Sequence, residues 1–165
     1  MNEKNILLGI ECLQNEFGKE SIERAVENVA KFKIEIPSWI FGDFGGGRFG
    51  EYMPPGFARN IHEKLDDAAF VSKLTGAVDA IAVHTLWDLS EDGMEGSEEI
   101  AKSVYQAAKE RDLQLGSINP TYFLKGSHKG SLSSENESVR NRYIDQTILS
   151  SELAHKYGNG VVAIW

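Results

Sequence analysis

The strongest constraint on the fold is an alternation of two periodicities. Four short strand-like runs, KIEIPSWI, AIAVHTLW, LQLGSI and the terminal VVAIW, are separated by stretches with helical spacing. Strands alternating with helices imply parallel strands joined by right-handed crossovers. Two architectures satisfy this, a doubly wound open sheet and a (β/α)8 barrel. The dinucleotide-binding kind of open sheet needs a tight glycine turn leading straight from the first strand into a helix. The segment from Phe41 to Asn60 is too long for that turn. The expected fold is therefore α/β, with about four parallel strands and alternating helices, and a (β/α)8 barrel competes with the remaining kinds of open sheet.

The helices carry their own punctuation. HEKLDDAAFVSKLTG stops at Gly76, and SEEIAKSVYQAAKERD starts with Ser97 as N-cap and Glu98 and Glu99 in its first turn. A long helix begins at SENE, where Ser134 and Glu137 fit a capping box, and Gly158 offers a stop. Its apolar face holds Val139, Tyr143, Leu149 and Leu153. Pro37 places a bend or an edge near the end of the first strand. Two helices precede that strand: NILLGIECL is amphipathic, and ESIERAVENVAKF aligns Ile22, Ala25, Val26, Val29 and Phe32 on one stripe.

Composition sets limits on partners. At 165 residues the chain suits one domain with a core, so residues 1–165 are read as a single domain. A net charge of −8 argues against nucleic acid, which demands clustered Lys and Arg. Cys12 is the only cysteine, which excludes an intrachain disulfide and a multi-Cys zinc site and suits a reducing cytoplasm. Glu11 interrupts the first apolar run, which is no signal peptide, and no run reaches the ~20 residues of a membrane span.

In a barrel, ligand-binding residues gather at the C-terminal ends of the strands. Trp39, His84, Trp87 and Trp165 fall at or just past such ends, with Asn119 and Phe123 after the third strand. His84, in AVHTLWD, has two readings: a half-buried imidazole satisfied by the backbone, or an acid/base or hydrogen-bonding group on a ligand, with Asp88 orienting the ring. The aromatics likewise either plug the barrel mouth or form a wall against the apolar face of a sugar.

FGDFGGGRFGEYMPPGF lacks the Gly-Lys-Ser/Thr ending of a phosphate loop. It reads as a mobile loop whose Phe41, Phe44, Phe49 and Phe57 close over a site or dock on a neighbouring subunit. His62, His128 and His155 show no ligand-like grouping, and Asp66–Asp67 and Glu98–Glu99 read as solvated helix faces.

IPSW, GGRF, HEKLDDAA, VHTLWD, INPTYF, GSLS and VVAIW occur in an order that resembles bacterial L-rhamnose isomerase and related metal-dependent sugar isomerases with the xylose-isomerase-like barrel, from about Ile34 to Trp165. The resemblance implies an aldose–ketose isomerase that interconverts L-rhamnose and L-rhamnulose on two divalent ions, manganese first, with zinc or cobalt as alternatives. It assigns Trp39, Phe123 and Trp165 to the apolar part of the sugar pocket, with Trp87 beside them. His84 becomes the catalytic hydrogen-bonding group, and Phe49 part of a loop covering a site, in a neighbouring subunit of a homotetramer. The metal ligands and the lysine near the reaction centre are expected on later strands. VVAIW then reads as a barrel strand interrupted at its active-site end, and the chain as an incomplete N-terminal portion, inactive by itself. The alternative is a non-catalytic half-barrel that binds sugar without metal.

Overall fold

The computed structural model describes residues 2–32, 34–42, 55–124 and 127–164. The chain divides into two compact units, Met1–Lys33 and Ile34–Trp165. The first holds α1 (Glu3–Phe17) and α2 (Lys19–Ala30). Asn2 caps α1 by accepting the Lys4 N–H, and Gly18, at φ 80°, makes the turn into α2. That backbone conformation favours glycine. Neither helix buries a residue, and Val26, Val29 and Phe32 of the anticipated stripe are exposed.

The second unit runs β1 (Ile34–Pro37), α3 (Ile61–Thr75), β2 (Val78–His84), α4 (Thr85–Asp88), α5 (Glu98–Lys109), β3 (Gln114–Asn119) and α6 (Glu137–Tyr157). The strands form a parallel sheet in the order β1–β2–β3, as the alternation required. Ile81 and Val83 of β2 and Leu115 and Ile118 of β3 face the helices. They meet Leu65 and Ala68 of α3, Val104 and Ala108 of α5, and Leu153 and Ala154 of α6, all buried. Alanines along α5 bring it close to the sheet.

Leu115 and Ile118 are three residues apart yet share this core, which strict alternation forbids. A bulge resolves it: Gly116 and Ser117 together oppose Ala82. The displaced groups find partners. The Gly116 carbonyl accepts the Asn159 N–H at 3.1 Å, and the Ser117 N–H donates to Glu35 of β1 at 2.7 Å. Glu35 also accepts the Ser117 hydroxyl at 2.7 Å, so its carboxylate crosses over β2. A Cβ on Gly116 would overlap that carboxylate. The clasp links the two outer strands across β2.

Several local expectations hold. Ser97 caps α5 by accepting the Ile100 N–H, and Gly76 ends α3 at φ 65°. Others change. The strand read from AIAVHTLW stops at His84, and Thr85–Asp88 coil into α4 because the Asp88 side chain accepts the His84 N–H. Asn136, not Ser134, caps α6: it accepts the Ser138 N–H, while Ser134 is turned inward and accepts the Asn136 N–H.

The fourth run forms no strand ladder at 161–164. Val161 accepts the Ile118 N–H, but the next link goes from the Ala163 N–H to the side chain of Asn119. That side chain takes the place of a main-chain rung. Among the described residues, no helix is long and apolar enough to cross a membrane.

Candidate functional site

The C-terminal ends of all three strands lie at one rim because the strands are parallel. Pro37 ends β1, and the next residues form a 3-10 turn, Ser38–Ile40, that carries Trp39. β2 ends on His84, and α4 carries Trp87. β3 ends on Asn119, with Thr121 and Phe123 following.

The rings converge. His84 is fully buried between two half-buried indoles, with Trp39 edge-on at 4.6 Å between centroids and Trp87 tilted at 4.3 Å. Phe123 continues the row at 6.4 Å from Trp87. Four of the anticipated residues therefore share one place. Phe49 and Trp165 lie outside the described residues, as does Phe44. Of the other loop phenylalanines, Phe41 packs against the core instead of facing a site, and Phe57 is exposed. His62, His128 and His155 stand apart, on α3, a 3-10 turn and the last turn of α6.

The chemistry of His84 follows from its surroundings. Removal from water pushes its pKa down to about 4; the Asp88 carboxylate opposes this, and the Lys64 ammonium adds to it. At neutral pH the ring is therefore uncharged. Nδ1 lies 3.3 Å from the Thr121 hydroxyl. A neutral imidazole offers one donor and one acceptor, which suits a hydroxyl better than an anion.

Asp88 takes a different part from the one the spacing suggested. Its Oδ2 accepts the His84 main-chain N–H at 2.8 Å and the Ser38 hydroxyl at 2.6 Å. Its Oδ1 accepts from Lys64 Nζ at 2.6 Å, with both side chains fully buried. It fixes the backbone at His84 and leaves the Nδ1 side of the ring to Thr121.

Sequence reading missed Ser38, Lys64 and Thr121. A signal for Lys64 was present: Ile61, Leu65, Ala68 and Ala69 mark the inward stripe of α3, and Lys64 sits within it. A lysine at an apolar position needs a buried counter-charge.

Beyond the rim, a cleft of about 590 Å³ lies between α6 and the loop after α4, lined by Leu86, Met94, Arg142, Asp145 and Leu149 among others. It is off the strand ends and contains none of the anticipated residues. Among the described residues, no three His, Cys, Asp or Glu side chains gather to hold a metal ion. The Asp88 carboxylate, bonded to the His84 main chain, is already engaged by three donors.

No family model matches the chain. It is similar to a probable sugar isomerase of Rhizobium meliloti, 30% identical over 154 residues, covering 87% of this chain and 33% of the relative. A probable sugar isomerase of Mesorhizobium japonicum is 28% identical over 151 residues, with 88% and 33% covered. The L-rhamnose isomerase of Lactiplantibacillus plantarum is 29% identical over 153 residues, with 82% and 35% covered. The chain is thus related to sugar isomerases, and it spans about a third of the length of these relatives.

Proposed function

We propose that the chain supplies the apolar wall and one hydrogen-bonding histidine of an aldose–ketose isomerase site that interconverts L-rhamnose and L-rhamnulose. The observation that carries this is the row of Trp39, His84, Trp87 and Phe123 at the C-terminal ends of parallel strands. Sugars present C–H faces to aromatic rings and hydroxyls to polar groups. L-Rhamnose has a methyl group where most hexoses carry a hydroxymethyl. Covering that methyl with an aromatic surface is worth roughly 0.8 kcal/mol, and burying a hydroxyl there unpaired costs about 1–3 kcal/mol.

In this reading Trp39, Trp87 and Phe123 stack on the sugar, joined by Trp165 and by Phe49 of a neighbouring subunit in a homotetramer. His84 exchanges a hydrogen bond with a hydroxyl or the ring oxygen and assists ring opening as an uncharged group. A bound divalent ion would polarise the sugar oxygens that develop charge. Among the described residues, no group of three His, Cys, Asp or Glu side chains fits such an ion. We assign the ligands of manganese, zinc or cobalt to segments that the longer relatives have and this chain does not span. The cytoplasm is the proposed compartment.

The test is a titration of the chain with L-rhamnose, read by indole fluorescence. Saturable change with L-rhamnose, weaker with L-mannose and absent with D-glucitol, is expected. Trp87→Ala should weaken binding at least tenfold, about 1.4 kcal/mol. Silence with every sugar overturns the proposal. Sugar turnover by the 165-residue chain with added manganese would overturn the assignment of the metal ligands elsewhere. Binding indifferent to a chelator, with no turnover by a protein extended to the relatives' length, would instead establish the non-catalytic module.

A further inference from the structure

The rim rings are joined underneath by one buried carboxylate. Asp88 receives three donors: Lys64 Nζ from α3, the Ser38 hydroxyl from the turn after β1, and the His84 N–H at the end of β2. Ser38, Lys64 and His84 have no exposure, and Asp88 is 3% exposed. Each donor or acceptor, Lys64 excepted, is a rim residue or its chain neighbour: Ser38 precedes Trp39, His84 is in the row, and Asp88 follows Trp87.

The placement is specific. The turn that carries Trp39 follows one strand, and the helix that carries Trp87 follows another. Ser38 and Asp88 are 50 residues apart in the chain. The 2.6 Å contact between them ties the two indole-bearing segments together across the β1–β2 pair. Lys64 neutralises the carboxylate, which can then accept from two uncharged donors without solvent. A buried ion pair seldom adds stability over apolar residues of similar size, and its best-attested use is to fix geometry.

We propose that Asp88, neutralised by Lys64, is a positioning residue of the sugar wall: through Ser38 and the His84 N–H it sets the spacing of Trp39, His84 and Trp87. This rests on the rim being the sugar site. The role differs from support of the fold alone, because a buttress can be replaced by apolar residues without moving the rings.

The experiment compares the wild-type chain with K64M/D88L, D88N, S38A and S38T. Near-UV circular dichroism, recorded in a Trp165→Phe background so that only Trp39 and Trp87 report, reads the ring arrangement without any ligand. Titration calorimetry with L-rhamnose in the native background reads the wall. K64M/D88L is expected to melt within about 5 °C of wild type. It should nonetheless lose at least half of the indole band and bind L-rhamnose at least tenfold more weakly. A double variant that keeps both band and affinity overturns the proposal.

Should K64M/D88L or D88N not fold, S38A decides. It leaves the ion pair in place and should change the band and weaken binding about threefold, with S38T, which keeps the hydroxyl, restoring both. S38A identical to wild type on both counts overturns the proposal. If the wild type binds no sugar while the variants still lose the band, the positioning role stands and the sugar reading falls.

Discussion

α2 and α5 are twelve-residue helices of similar design, each with glutamate in its first turn and an apolar stripe at helical spacing. α5 buries Ala101, Val104, Ala107 and Ala108 between the sheet and its neighbours, whereas α2 buries nothing. A short helix is marginal in water unless an apolar face is covered, so tertiary burial stabilises α5, and α2 lacks that contribution. The difference shows what amphipathic spacing encodes. It marks the face that gains from burial, and the partner is decided elsewhere in the chain.

The same contrast governs charge, and here the largest effect is expected. Lys64–Asp88 is sealed from water, while Lys19–Glu23 of α2 spans 3.8 Å with both side chains mostly exposed. Asp88→Ala should destabilise the second unit by about 4 kcal/mol, since it removes the buried carboxylate that faces the Lys64 ammonium at 2.6 Å. Glu23→Ala should leave the unfolding midpoint unchanged. Urea denaturation of both variants makes the comparison, and equal effects would break it.

Leucines offer the next contrast. Leu153 of α6 is fully buried and Leu7 of α1 is 61% exposed. Leu153→Ala should cost about 3 kcal/mol through lost transfer energy and a cavity, and Leu7→Ala under about 0.5 kcal/mol. A large cost at Leu7 would show that the first unit buries that face in solution.

Titration of His84 gives an effect of similar size with a defined sign. Its pKa falls from 6.5 to about 4 on folding, chiefly by desolvation. The stability this neutral ring contributes is complete above pH 6.5 and is lost as the pH falls through 4, a change of about 3 kcal/mol. His84→Gln should flatten that part of the pH–stability curve. A wild-type curve already flat from pH 6.5 to 4 would mean that solvent reaches the ring.

These contrasts also explain what the sequence made legible. Alternating periodicity revealed the parallel strands, and parallel strands put their C-terminal ends together, so Trp39, His84, Trp87 and Phe123 could be assigned to one rim without any contact being known. Ser97 and Gly76 were readable because caps act within a few residues of themselves. The floor of the site was readable at one residue only. Lys64 stood out as a lysine within the apolar stripe of α3, whereas Ser38 looked like a turn residue and Asp88 like a partner for the ring. Each becomes meaningful only after β1, β2 and α3 have packed. The box predicted at Ser134 failed for a related reason: burial of Ser134 draws the chain inward and delays the helix start to Glu137.

Caps provide the smallest and sharpest comparison. Ser97 accepts the Ile100 N–H at the start of α5, and Asn2 accepts the Lys4 N–H at the start of α1. Locally the two bonds are alike, at 3.3 and 3.2 Å. Ser97 stands where α5 enters the packed unit, with its own N–H bonded to the Leu89 carbonyl, so fraying there also loosens the loop beneath Trp87. Ser97→Ala should lower global stability by about 1 kcal/mol. Asn2→Ala should only fray the first turn of α1, leaving the unfolding midpoint of the second unit unchanged while amide exchange quickens at Lys4 and its neighbours. If Asn2→Ala shifted the midpoint as much as Ser97→Ala, the two units would unfold as one cooperative body.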